Sequence, residues 1–347
     1  MKVTYICSRA FVARPFVNAL RQVNVPTEMT VLPRSTTQRF IQTLNIDRNS
    51  LIIVDDPYLC PLVLSFLKKM KMLKNGFILR LRGDIFEEIK DARFPACNQA
   101  LLDFTFKSAN AILHVAKYLE RKERMKYPSI RHFTVYNGVD VKPFSNGYYK
   151  NICKQVLADF ENRIKILTVM NFNIRRKILY FPLLLSTVKR ITAEFPALFF
   201  FIGGGKYLYK IKSIFRGQKD VHFLGKLPRN DVLSMMPAFD IFLYPSSLDV
   251  LPNAILEASA SGLPVISTDV GGISEIVVHN KTGFLMKDIK NDSYRYLRLL
   301  IEDEDLRRKI SESGRKWVTT KFDWTTITRD FVQIIKSEIE RGSQYYD

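Results

Sequence analysis

Two acidic residues in the C-terminal half are spaced so that both flank the start of one predicted helix. Asp249 lies in a predicted loop and Glu257 in the helix that follows, with seven residues between them. Pro252 is expected to open that helix, because a residue without an N–H group suits the first helical turn. The unpaired N–H groups and the dipole of that turn attract phosphate. The two carboxylates flank the same mouth and can accept hydrogen bonds from sugar hydroxyls.

Short apolar strands alternate with helical patterns along the whole chain and would position these acids. Strands without polar residues, separated by helices, indicate parallel sheets covered on both faces. The sequence therefore predicts an α/β fold of two Rossmann-like domains facing each other across a cleft, divided near residue 150 into 1–150 and 151–347, with the last helix able to pack back on the first domain. The predicted strands are 3–7, 29–32, 51–54, 77–81, 111–115, 164–169, 198–202, 221–224, 241–244 and 264–267.

The composition of the 347 residues is that of a globular protein, with 47% hydrophobic and 25% charged residues. It excludes a disordered chain, a collagen and a small disulfide scaffold. The net charge is +19, of which residues 1–150 carry +12. Such an excess indicates either solvated helix faces or contact with anionic lipid, a phosphorylated acceptor or nucleic acid. Two stretches concentrate the charge: Lys68, Lys69, Lys71 and Lys74, and Arg121, Lys122, Arg124 and Lys126.

The cysteines and histidines indicate the compartment. Four cysteines and four histidines are scattered, without a CxxC pair or a zinc-ligand spacing, which fits a reducing cytosol. The first residues lack the apolar core of a secretory signal, and no apolar run is long enough to span a membrane. We therefore expect a cytoplasmic protein, which could also associate peripherally with the inner membrane face.

Further motifs follow the acidic pair. A helix of small residues leads to Gly262-Leu263-Pro264-Val265, and then to Gly271-Gly272-Ile273-Ser274-Glu275. With Asp249 and Glu257, this pattern resembles the retaining, nucleotide-sugar-dependent family-four glycosyltransferases (glycosyl transferases group 1), which have the GT-B fold. The resemblance covers nearly all of the second half, including 203–205, 221–225 and 322–324, and covers the first half more weakly.

The resemblance implies a donor site in the second domain. Glu257 would hold the ribose hydroxyls and Asp249 would touch the transferred sugar. The family's usual Gly-Arg after the first strand of this domain is replaced by Met170-Asn171, so a mixture of the following basic residues would neutralise the diphosphate, with Arg176 closest to the family lysine. The other donor-binding residues that we expect are Arg175, Arg176, Lys177, Gly203, Gly204, Leu251, Pro252 and Asn253.

The first domain departs more from the family. Its expected counterpart of a family His-Gly turn is Arg82-Gly83-Asp84. Arg82 is a candidate catalytic residue that would contact the sugar or a phosphate, and Asp84 would order it. The alternative is a structural turn with an Arg–Asp ion pair. Asp56, after the third strand, is a weaker candidate on the acceptor side.

We therefore expect a metal-independent, retaining hexosyltransferase of glycan biosynthesis. It would need no cofactor, with a nucleoside diphosphate sugar as co-substrate and a lipid-linked or surface glycan as acceptor. An anionic membrane surface is a further expected partner. The alternatives are a nucleotide-sugar epimerase or a phosphorylase of the same fold, and a basic nucleic-acid-binding protein, which would leave both acids without a role. Asp303-Glu304-Asp305 has the letters of a metal-binding DxD motif, but its charged helical context predicts a solvated face.

Overall fold

A computed structural model describes residues 2–7, 10–33, 35–55, 59–88, 95–139 and 162–344. The chain forms two compact units, of which the second comprises Val139–Asp323 and the first Met1–Gly138 with Trp324–Asp347. The position predicted for the domain boundary, near residue 150, lies outside the described residues. The last helix thus belongs to the first unit.

The first unit contains a six-stranded parallel sheet in the order β2-β1-β3-β4-β5-β6. Four of the strands are buried along their whole length, as expected for a sheet covered on both faces. The strands are β1 Val3–Cys7, β2 Thr27–Val31, β3 Leu51–Asp55, β4 Phe77–Leu81, β5 Ala111–His114 and β6 Arg131–Thr134. Its helices are α1 Ala10–Gln22, α2 Thr36–Leu44, α3 Leu59–Lys69, α4 Ile85–Glu88, α5 Pro95–Ser108 and α6 Lys117–Lys126.

Aromatic packing joins the last helix, Trp324–Gln344, to the first unit. The Phe16 ring of α1 lies 4.6 Å from the Phe331 ring and 5.4 Å from the Trp324 ring, centroid to centroid. These rings belong to a buried cluster with the apolar residues of one sheet face. Burying an aromatic side chain contributes about 1.5–3 kcal/mol, so these contacts stabilise the position of the last helix.

The other helices of this unit include α2, which packs against α3, and α3, which packs against α5. The spacing of Phe66, Met70 and Leu73 is typical of a core face, and this expectation is correct only for Leu73, which is buried. Phe66 is 51% exposed and Met70 66% exposed. The register of α3 instead points Leu64 and Leu67 inward.

The second unit contains another six-stranded parallel sheet, in the order β12-β11-β10-β7-β8-β9. The strands are β7 Ile164–Val169, β8 Ala197–Ile202, β9 Val221–Gly225, β10 Ile241–Tyr244, β11 Val265–Thr268 and β12 Gly283–Met286. Its helices are α7 Phe181–Glu194, α8 Leu208–Ile214, α9 Arg229–Met235, α10 Asn253–Ala260, α11 Ile273–Ile276, α12 Ile289–Glu302 and α13 Glu304–Lys321, followed in the first unit by α14 Trp324–Gln344.

The two parallel sheets confirm the predicted α/β class and Rossmann-like architecture. All ten predicted strands are present, with ends shifted by at most two residues. The sequence missed β6 and β12, each of which is short and lies at an edge of its sheet.

Candidate functional site

The strand order of the second unit identifies where a ligand binds. Strands β7 to β9 extend the sheet in one direction and strands β10 to β12 extend it in the other, so the strand order switches between the parallel neighbours β7 and β10. In open α/β sheets, ligands bind outside the carboxyl ends of the strands at such a switch point. The segments that leave these two ends are 170–180 and 245–252. The predicted acidic and basic residues therefore converge at this edge.

Asp249 is held there by three hydrogen-bond donors. The Lys177 ammonium lies 2.7 Å from its Oδ2, and the Tyr244 hydroxyl donates to the same oxygen at 2.6 Å. The N–H group of Val250 donates to Oδ1 at 3.1 Å. The Lys177 and Asp249 side chains are only 18% and 12% exposed, so this ion pair is largely shielded from water.

Tyr244 was not predicted as a site residue. It is the last residue of β10 and precedes Pro245 directly, so its side chain reads in the sequence as part of an apolar strand. Burial raises the pKa of Tyr244 well above its usual value, and the Asp249 carboxylate raises it further. The hydroxyl therefore stays protonated and acts as a donor that orients Asp249.

Close backbone contacts fix the loop that carries Asp249. The Ser247 hydroxyl donates to the backbone carbonyl of Arg176. The backbone N–H group of Ser247 donates to the backbone carbonyl of Lys177 at 3.4 Å. Gly271 has φ +59°, and a Cβ there would lie 1.9 Å from the backbone oxygen of Asp249. Glycine at this position is thus required by the approach of two loops.

Glu257 lies in α10, for which Pro252 is the N-cap residue. The Glu257 residue is 8% exposed. Its Oε1 accepts hydrogen bonds from Arg229 Nε at 2.9 Å and from Arg229 Nη2 at 2.7 Å. Arg229, the first residue of α9, was not predicted either, because nothing in the sequence relates it to a residue 28 positions away.

The remaining predicted donor residues occupy the same edge of the sheet. Arg175, Arg176 and Lys177 begin a 3₁₀ helix after β7. Arg175 is exposed, and the other two are half-buried.

Gly203, after β8, has φ +145°, and a Cβ there would lie 1.8 Å from the backbone oxygen of Met170. The carbonyl of Gly204 accepts the N–H group of Phe172 at 3.1 Å. Leu251 is buried, and Asn253 begins α10.

In the first unit, Arg82 pairs with the carboxylate at the end of β3. Its Nε lies 2.6 Å from Asp55 Oδ1. The buried Arg80 approaches Asp55 Oδ2 at 3.2 Å and donates to Asn137 Oδ1 at 2.8 Å. Asp56, the weaker acceptor-side candidate, lies outside the described residues.

Asp84 has a role that was not expected. Its Oδ1 accepts the N–H group of Glu87 at 3.2 Å, and its Oδ2 pairs with Lys122 at 2.6 Å. Asp84 thus joins the start of α4 to α6. Beside it lies Glu123, which is buried.

The stability of the first unit is expected to depend on the protonation of Glu123. Burial and, to a smaller extent, nearby Asp84 raise the pKa of this carboxyl from 4.5 to about 7, against the opposite effects of Lys122 and Lys126. The unfolded chain therefore releases this proton at lower pH than the folded protein. The free energy of unfolding should therefore fall as the pH rises from about 4.5 to 7. This fall should be roughly 1–3 kcal/mol larger in the wild type than in Glu123→Gln. Denaturant titrations across this pH range measure the difference, with the exposed Glu312→Gln as control. Parallel curves for the wild type and Glu123→Gln would contradict it.

The acidic run Asp303-Glu304-Asp305 lies on an exposed face, as predicted, and its first residue also caps a helix. Asp303 is the N-cap of α13, and its Oδ1 accepts the N–H group of Leu306 at 2.8 Å. Among the described residues, no group of three or more His, Cys, Asp or Glu side chains is arranged to hold a metal ion.

Comparisons with known proteins agree with this geometry. Residues 151–317 match the family model of the glycosyl transferases group 1. A sulfoquinovosyl transferase of Arabidopsis thaliana is 34% identical over 150 residues, which are 42% of this chain and 29% of that protein. The N-acetyl-alpha-D-glucosaminyl L-malate synthase of Bacillus anthracis is 28% identical over 238 residues, 66% of this chain and 59% of that protein. The chain thus spans less than two thirds of the length of these relatives.

The fold likeness extends to both units. The crystal structure of Anabaena HepE in complex with UDP-glucose superposes with a TM-score of 0.75 at 16% identity, covering 97% of this chain and all of that one. This likeness confirms the predicted GT-B fold. The matched segment contains the acidic pair, Lys177 and Arg229, so the family match and the site geometry concern the same residues.

Proposed function

We propose that this protein is a glycosyltransferase that moves a sugar from a nucleoside diphosphate sugar to a hydroxyl acceptor. The observation that carries the proposal is the Lys177–Asp249–Tyr244 cluster at the switch point of the second sheet. A cation held by a buried carboxylate beside a helix N-terminus suits a diphosphate leaving group. The family of the matched segment and the UDP-glucose bound by Anabaena HepE support a nucleotide sugar as donor.

In this proposal each residue has a distinct task. Lys177 neutralises charge on the diphosphate, with help from Arg175 and Arg176. Glu257 accepts hydrogen bonds from the ribose hydroxyls, in an orientation that Arg229 maintains. Asp249 Oδ2 already receives two donors, so Oδ1 is the oxygen that would accept a hydrogen bond from the transferred sugar.

The hydrogen bonding of Asp249 argues against a covalent intermediate on this residue. Three donors already contact its carboxylate oxygens and reduce their reactivity toward a sugar carbon. For the retention that the family resemblance implies, we therefore propose a front-face displacement, in which the leaving phosphate helps to deprotonate the acceptor, and in which no metal ion takes part. Lysine and the helix N-terminus would supply the positive charge that a metal supplies elsewhere.

We also propose a lipid-linked or surface glycan as acceptor, Arg82 at the acceptor side, and a cytoplasmic site of action at an anionic membrane surface. The basic excess of residues 1–150 supports an anionic partner. Asp55 aligns Arg82 at the carboxyl edge of the first sheet, where ligands of α/β sheets bind.

A screen of labelled UDP-, GDP- and ADP-sugars tests the donor proposal. We expect slow hydrolysis of at least one donor without any acceptor, and unchanged hydrolysis in excess EDTA. The anomer of the first product, read by NMR, reports retention. Loss of activity in EDTA would contradict metal independence, and neither binding nor turnover of any nucleotide sugar would contradict the proposed function.

A further inference from the structure

Lysines and aromatic rings alternate at the start of α8 in the second unit. The Lys206 ammonium lies 4.9 Å from the centre of the Tyr207 ring. The Lys210 ammonium lies 5.6 Å from that ring and 6.0 Å from the Tyr209 ring. These separations are those of cation–π contacts. With the next lysine of the helix they form a set that we call the α8 lysines, all of them exposed: Lys206, Lys210 and Lys212.

The positive charge of the α8 lysines is not compensated by acids. The Lys212 ammonium lies 5.9 Å from the Phe223 ring of β9, so each of the three is held beside an aromatic ring. Within residues 162–344, none of them forms an ion pair. Residues 195–219 contain no Asp or Glu, and the acids that flank this stretch, Glu194 and Asp220, are engaged by a tyrosine and an arginine elsewhere.

Basic residues that stand out in the sequence of the first unit have different surroundings. Lys122, Arg124 and Lys126 each pair with an acid. Lys68 Nζ donates to the backbone oxygen of Ser108 at 2.8 Å, and burial lowers the pKa of this lysine. A carboxylate cancels the charge of its cationic partner, whereas an aromatic ring holds an ammonium group without cancelling its charge.

The loop before α8 is joined to the segment that leads to the proposed diphosphate site. The N–H group of Tyr207 donates to the Phe172 carbonyl at 3.0 Å, and that of Lys206 donates to Asn173 Oδ1 at 3.0 Å. Segment 171–174 leads directly into the 3₁₀ helix of Lys177. The other α8 lysines follow within a helix that is about 10 Å long, a length close to the Debye length at about 0.1 M ionic strength. The α8 lysines therefore act electrostatically on the donor site.

We propose that the α8 lysines attract the anionic nucleotide donor and guide it to the Lys177–Asp249–Tyr244 cluster, an inference that rests on the proposed function. Charges of one sign beside a binding site raise the local concentration of an oppositely charged ligand, and with it the association rate. Guidance acts on the encounter and not on the bound complex. The association rate constant of the nucleotide should therefore depend on these lysines, and its dissociation rate constant should not.

A bilayer is the alternative anionic partner of such a surface. No helix in the described part of the chain is long and apolar enough to cross one. A helix that lies on a bilayer inserts an apolar face, whereas the exposed residues of α8 are one tyrosine, two lysines and one serine. The contacts with segment 171–174 instead connect the α8 lysines to the donor site.

Phosphorus NMR line shapes, recorded while the full chain is titrated with unlabelled UDP, GDP and ADP, measure both rate constants. Lys206→Gln, Lys210→Gln and Lys212→Gln together should lower the association rate constant about threefold to tenfold at about 0.01 M ionic strength. The difference from the wild type should shrink as salt is added, because salt screens the attraction. The dissociation rate constant should change by less than about twofold.

Two sets of variants are the controls. Lys219→Gln, Lys309→Gln and Lys316→Gln together remove the same charge from exposed positions of the same unit and should leave the association rate constant within about twofold of the wild type. Tyr207→Leu with Tyr209→Leu keeps the charge and should also leave both rate constants within about twofold. The thermal unfolding midpoint confirms that each variant folds.

Three results would overturn the proposal. The first is an unchanged association rate constant in the variant of the α8 lysines, and the second is an equal loss in the lysine control, which would make net charge the cause. The third is a faster dissociation in the variant of the α8 lysines or of the two tyrosines, which would place these side chains in the bound complex. Absence of nucleotide binding by the wild type would instead refute the proposed function, and this inference with it.

Discussion

Asp249→Asn is expected to lower sugar transfer at least a hundredfold and to destabilise the second unit. The variant leaves the Lys177 ammonium largely shielded from water and without its carboxylate. Removing one partner of a buried ion pair costs about 3–5 kcal/mol, because the remaining charge is uncompensated. Urea denaturation and turnover of the nucleotide sugar measure the two effects separately. Glu302→Gln, which breaks the exposed pair with Arg298, is the control and should change stability by less than about 0.5 kcal/mol.

The double variant Lys177→Gln, Asp249→Asn separates a structural from a chemical role. It removes both charges, so much of the lost stability should return. Turnover should stay low, because the proposed diphosphate and sugar contacts are then absent. Tyr244→Phe, which removes one donor to Asp249 and keeps the ring, should reduce turnover less than either charge variant. Recovery of turnover in the double variant would mean that the ion pair only holds the two loops together.

Glu257→Ala is expected to weaken binding of a nucleoside diphosphate by about tenfold to a hundredfold. A hydrogen bond to a charged group contributes roughly 1.5–3 kcal/mol, and Glu257 would offer its carboxylate to the ribose. Titration calorimetry with UDP, GDP and ADP measures the affinity. Wild-type affinity in this variant for every nucleotide that the protein binds would contradict the assignment.

Arg229→Ala tests whether this arginine acts through Glu257. If Arg229 positions the carboxylate, its loss should weaken nucleotide binding less than the loss of Glu257. The double variant should then resemble Glu257→Ala, because the two effects are not additive within one contact. Arg216→Ala, an exposed arginine of the same unit, is the matched control. Additive losses would instead indicate that Arg229 contacts the nucleotide directly.

Helix α3 is a case in which sequence periodicity predicted the wrong face. The spacing of Phe66, Met70 and Leu73 indicates a core face, but α3 ends at Lys69 and only Leu73 is buried. Periodicity assumes a continuous helix, and the chain leaves the helix before the pattern is complete. Lys71 has φ +57°, a conformation outside the right-handed helix. Which of these three side chains is buried therefore depends on where the helix ends.

The sequence by itself determined the α/β class, the strands of the sheet interiors and the family motif around Asp249 and Glu257. Buried parallel strands must be continuously apolar, and a motif on one loop and the next helix is local in the chain. The tertiary structure alone decided the partners of those acids. Lys177 lies 72 positions from Asp249, and Arg229 lies 28 positions from Glu257. Lys177 meets Asp249 because the strand order places β7 beside β10, and no local pattern records which strands are neighbours. In the same way, only the folded chain shows that Arg82 pairs with Asp55 and Asp84 with Lys122, since each contact joins two elements that are distant in the sequence.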